Sequence, residues 1–167
     1  MAKRRRSLEA GHRRKILAVV DDTPECDRAI AFAALRAAHT GGGLVLLTVI
    51  DDTDFRGFLG VERTLRAEAR AAAEAALDRA AARAVAFAAI AADRVERVVR
   101  EGDRAAEIVG LIDADEDLAV LVLAAGVGPD GPGPLVGAIA GRACGSFPIP
   151  VTIVPGHLGD AEIAAIA

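Results

Sequence analysis

Three stretches of the chain are apolar or nearly so: Ile16 to Val20, Leu44 to Ile50 with Thr48 as its one polar residue, and Leu118 to Ala125. Runs of this length and kind fit strands buried on both faces of a sheet. Two weaker strand patterns accompany them. Asp93 to Arg100 carries apolar side chains at Val95, Val98 and Val99, and Ile149 to Val154 is flanked by Pro148 and interrupted by Pro150. Between the strands the spacing becomes helical. Cys26, Ala29, Ile30, Ala33, Ala34 and Ala37 recur on one side up to about His39. A second, longer helix is predicted from about Glu62 to Ala89, with Leu65, Ala69, Ala73, Ala76, Leu77, Ala80, Ala84 and Phe87 along its apolar side. Asp103 is placed to cap a third helix running through Ile108 and Leu111 to Ile112. Small residues from Pro134 to Ser146 predict a fourth, and Asp160 to Ala167 one or two terminal turns. Asp22 or Thr23 can cap the first helix, with Pro24 at its first position and Glu25 in its first turn. Gly41-Gly42-Gly43 and Gly102 mark the turns.

Strand and helix therefore alternate through five strands. Such alternation implies an α/β fold in one domain, a doubly wound parallel sheet with helices on both faces. Pro148 and Pro150 cannot donate ladder hydrogen bonds, which sends the fifth strand to an edge. An edge rich in Val and Ile invites pairing with a second copy, so a homodimer joined through Ile149 to Val154 is expected.

Composition narrows this picture. With 167 residues the chain fits one core, and with 3% aromatic residues and no Trp or Tyr that core must be aliphatic. No apolar run approaches the roughly 20 residues that cross a bilayer. Cys26 and Cys144 stand far apart, without metal or redox spacing, so a reducing cytoplasm with free thiols is expected. The net charge of −4 is uneven: seven basic residues and one acid within 1–15 give that stretch +6 and leave −10 for the remainder. Residues 1–14 are expected to form a disordered basic leader, 15–155 the domain and 156–167 a tail. The leader has no aromatic residue to stack on bases, which argues against nucleic acid.

In a doubly wound sheet, ligands bind at the carboxyl ends of strands where the winding reverses. If the first strand is central, that crevice brings Asp21 near the glycine- and proline-rich stretch from Gly126 to Gly133. A strand emptying into a glycine loop at a helix mouth suits a phosphate. The alternatives are plain ones: Asp21 as a helix-capping acid, and the glycines as turn residues. The pattern Gly126-Val127-Gly128-Pro129-Asp130-Gly131 resembles a dinucleotide motif only weakly, since it follows the fourth strand and Pro129 removes an N–H.

Five segments, in order, are similar to the universal stress protein family: Lys15 to Asp21, Leu46 to Ile50, Val98 to Ile108, Asp117 to Val122 and Pro148 to Val154. The GPGPLV and FPIPVTIVPG segments resemble a bacterial branch with a basic leader. The resemblance implies strand order 3-2-1-4-5 and a regulatory or protective role without turnover. It also implies ATP, with magnesium, as the candidate ligand. Asp21 matches the family's ribose and metal partner, and Val49 the position whose backbone meets adenine. The binders' loop has two threadings here. By spacing, Gly128, Gly131 and Gly141 fit, with Gly126 at the loop's mouth and Arg142 where Ser or Thr is expected; anchored on the last strand, Gly137 and Ala138 take those places. Both lack the hydroxyl, and Arg142 can substitute a charge-assisted contact. A dimerisation module without nucleotide is the alternative reading, and a slow nucleotide hydrolase the third, lacking an evident base. Asp51, Asp52 and Asp54 read as a solvated loop, and His12, His39 and His157 are too scattered for zinc. Cys144 has no base beside it.

Overall fold

The apolar runs Lys15–Val19 (β1), Gly43–Ile50 (β2) and Leu118–Ala125 (β4) lie side by side in the middle of a five-stranded parallel sheet. In this computed structural model, which describes residues 3–57 and 60–167, the strand order is β3-β2-β1-β4-β5. Val95–Glu101 (β3) and Val151–Pro155 (β5) form the two edges. The predicted α/β class, order and edge position of the last strand are those observed.

Side chains alternate across the strands, and each face builds its own core. Ile16, Ala18, Leu44, Leu46 and Val122 pack under Cys26–His39 (α1), Glu62–Ala88 (α2) and Asp160–Ile166 (α5). Leu17, Val45, Leu47, Leu121 and Leu123 pack on Arg104–Ala114 (α3) and on the segment after the glycine loop. Each fully buried leucine contributes roughly 1.5–3 kcal/mol relative to exposure. The face of α1 toward the sheet is mostly alanine: Ala29, Ala31, Ala33, Ala34 and Ala37 have essentially no exposure. Small side chains bring that helix close to the strands.

One expectation requires correction. The small-residue segment is not one helix. Pro134–Gly137 (α4) makes a single turn, and Ala138–Arg142 continues it as a π-turn. Its glycines and alanines bring little side-chain surface to bury, so packing does not enforce a long regular helix. Several residues of the basic leader and the start of β1 also contact the body. The Arg5 guanidinium donates to the carbonyls of Ile112 (2.5 Å) and Asp115 (3.0 Å), and Arg6 meets Glu116 at 3.3 Å. His12 Nδ1 lies 2.7 Å from Asp117, and Lys15 Nζ 2.8 Å from Asp115. The acidic junction of α3 and β4, with the open carbonyls at the end of α3, is what receives these side chains. The edge strands also differ: β3 exposes Glu96 and Arg97, whereas β5 exposes Ile153.

Candidate functional site

β1 ends one residue before the crevice begins. The Val20 amide makes a last bond to the Leu47 carbonyl (2.7 Å), and Asp21 turns out of the sheet. The turn is held by local contacts. Asp21 Oδ1 accepts from the amide (3.0 Å) and hydroxyl (2.5 Å) of Thr23, and the Asp21 amide donates to the Cys26 sulfur (3.4 Å). The Cys26 thiol points back to the Val19 carbonyl at 3.6 Å. Burial pushes that thiol up to about 12, so it stays protonated and serves as a donor, not a nucleophile. Neither Asp22 nor Thr23 caps α1. The N-cap is Glu25, with no side-chain cap bond, because Asp21 and Thr23 close a turn of their own ahead of the helix.

Two cavities open at this turn and share Asp21 and Arg104. The larger, of about 360 Å³, lies between the ends of β1 and β2 and is lined by Thr48, Val49 and Ile50, with Ala69, Ala72, Ala73 and Ala76 of α2 opposite. Leu47 presents its carbonyl to β1, and strand alternation aims the amide and carbonyl of Val49 to that side too, beyond the last β1 residue paired with β2. The smaller cavity, of about 70 Å³, lies between β1 and β4, walled by Glu25, Cys26, Leu123 and Pro132 to Val136.

The glycine loop closes partly on itself. The Gly126 amide donates to the Pro132 carbonyl (3.1 Å) and the Gly131 amide to the Gly128 carbonyl (3.2 Å). Pro129, Pro132 and Pro134 have no amide to offer. Positive φ at Gly131 (+85°) and Gly133 (+101°) explains glycine at those two positions by turn geometry. Gly128, Gly131 and Gly141 line neither cavity, and a Cβ at any of the three would meet open space. Gly126 is different: a Cβ there would lie 3.1 Å from Glu25 Oε1 and 3.2 Å from the Gly131 carbonyl. The Arg142 side chain lies outside the described structure.

Of the residues singled out in the sequence, then, Asp21 and Val49 line the same cavity, and Gly126 borders the smaller one through Glu25. Arg104, Arg79 and Glu25 were missed. Arg104 had a legible signal, since the helix dipole disfavours a cation at the first position of α3. No ion pair forms on Arg104 or Glu25 among the described residues, nor does any group of three or more potential metal ligands assemble there.

Comparison with known proteins agrees with this fold. The universal stress protein UspA from Lactobacillus plantarum superposes with a TM-score of 0.67 at 20% identity, over 84% of this chain and 97% of that one. A universal stress protein family member from Burkholderia pseudomallei gives 0.63 at 22% identity, over 84% and 95%. A universal stress protein in complex with cAMP gives 0.59 at 20% identity, over 86% and 97%. No curated protein matches the chain. The sequence model of the universal stress protein family matches residues 12–155, spanning all five strands and both cavities. This chain belongs to the universal stress protein family.

Proposed function

We propose that the protein is a non-catalytic, cytoplasmic stress-response binder that takes an adenine nucleotide in the crevice at the ends of β1, β2 and β4. The observation that carries this reading is the larger cavity. Its 360 Å³ are roofed by the alanine face of α2, with backbone polar groups of Val49 aimed in and the Asp21 carboxylate at its edge. A flat base fits between alanines and a strand end, backbone groups can read its edge, and a carboxylate can accept from ribose hydroxyls. Support also comes from the neighbour solved with cAMP.

ATP, the ligand implied by the sequence resemblance, fits this crevice at one end. The base and ribose have room and partners. The loop side offers a carboxylate at Glu25, has the amides of Gly126 and Gly131 already bonded and none at Pro129 and Pro132, and no hydroxyl follows in either threading of the loop.

A chain without Trp or Tyr absorbs little in the near ultraviolet, so copurified adenine would dominate its spectrum. The expected result is an adenine band that disappears on unfolding and dialysis, with heat released in calorimetry when adenosine or AMP is added back. A clean spectrum and no heat with any adenine compound would refute the reading. The alternative role, dimerisation, draws on the β5 edge, where Ile153 is 38% exposed and nearby Val127 71%. Sedimentation at micromolar concentration should give twice the chain mass. A monomer would remove that part of the proposal.

A further inference from the structure

We propose that Glu25 and Arg104 together set how many phosphates the crevice accepts, and that the preferred ligand carries one, an adenine nucleoside monophosphate in preference to the triphosphate. This inference rests on the adenine reading above and deepens it.

The two cavities meet along Asp21 and Arg104. A ligand with its base against α2 and its ribose at Asp21 therefore brings its first phosphate to the junction. Arg104 stands there, with no ion pair among the described residues; Asp51, which lines the larger cavity with Asp22, Asp54 and Arg79, is near enough to feel its charge. A guanidinium at that point can hold one phosphate by charge-assisted hydrogen bonds.

Further phosphates would have to enter the smaller cavity, about 70 Å³ against about 360 Å³. Its charge is of the wrong sign. Asp21 and Glu25 line it, opposed by Arg104 alone. The Glu25 carboxylate lies at the mouth of the glycine loop, 3.1 Å from where a Cβ of Gly126 would stand. Its stem is confined too: a Cβ at Gly156 would lie 3.0 Å from Glu25 Cβ, and the Gly156 amide is bonded to the Ala125 carbonyl (2.9 Å). The loop compensates only in part. The amides of Gly126 and Gly131 are used within it and Pro129 and Pro132 have none, which leaves those of Val127, Gly128, Asp130 and Gly133 without a backbone bond among the described residues. In a partly desolvated crevice, like charges at such range cost more than they would in water. A bound magnesium would offset part of this repulsion, so the preference should be largest when magnesium is chelated.

The test is calorimetric titration of the full chain with adenosine, AMP and ATP, each with magnesium and with EDTA. AMP should bind about tenfold tighter than ATP in EDTA, and the gap should shrink at high salt as the repulsion is screened. Glu25→Gln should narrow the AMP-to-ATP ratio by about tenfold, and Arg104→Gln should bring AMP down toward adenosine by a similar factor. Should ATP bind as tightly as AMP in EDTA, or should Glu25→Gln leave their ratio unmoved, this inference fails while the adenine crevice stands. Should no adenine compound bind the unsubstituted chain, both fail together. The unsubstituted ranking and its salt dependence need no variant, so a misfolded substitution would not rescue the inference.

Discussion

The two halves of the crevice share one turn and are built from opposite materials. Toward β2, the walls are strand ends and the alanine face of α2, both fixed by the burial of the sheet. Toward β4, the wall is a loop two of whose amides, those of Gly126 and Gly131, bond to its own carbonyls, fronted by the Glu25 carboxylate, which has no ion pair among the described residues. The first half is a by-product of packing: Ala69, Ala73 and Ala76 are small, so a cavity remains where a larger side chain would fill it. The second half depends on a few side chains that packing does not dictate. A doubly wound sheet thus supplies the crevice at its switch point, and the local chemistry of the loop decides what may extend along it.

The strongest way to break the contrast is to fill the first half. Ala73 is buried and lines the larger cavity. Ala73→Phe should lower adenosine affinity by about a hundredfold, because the ring would occupy the space assigned to the base. Calorimetry checks this, with a denaturation curve to show that the variant folds. Unchanged affinity would mean that the base lies elsewhere. A smaller effect sharpens the contrast from the other side. Gly131 faces open space and lines neither cavity, but its φ of +85° is unfavourable for a β-branched residue. Gly131→Val should therefore cost about 1–3 kcal/mol of stability through strain in the turn. Adenosine affinity should hold, measured on the folded fraction. Loss of adenosine binding in that variant would show that the loop and the base cavity are one cooperative unit.

Most of the scaffold was legible because it follows from burial. The runs through Leu17, Leu46 and Leu121 could be nothing but interior strands, and the prolines before Val151 sent that strand to an edge. The site was legible only in part. Asp21 and Val49 could be placed because they end strands whose positions the pattern fixes. The loop could not, because a run of Gly, Pro and Ala carries no periodicity that selects a register. The prolonged helix expected there became one turn and a π-turn for the same reason. Glu25 was read as an acid suited to a first helical turn. Its structural role differs because Asp21 and Thr23 close the preceding turn, leaving the Glu25 carboxylate free to face the loop. The contacts of the leader were hidden as well: Arg5 reaches the Asp115 carbonyl and Arg6 the Glu116 carboxylate, about a hundred residues away, and no local pattern announces such a pairing.

The sequence by itself determined the class of fold, the strands that form the interior, and the crevice end of the sheet, since hydrophobic periodicity acts locally and burial rewards it everywhere. Only the tertiary structure decided the charge of the crevice. That property depends on which side chains from α1, α3 and the loop after β4 converge, and convergence across 80 or more residues is a matter of packing, which no spacing along the chain encodes.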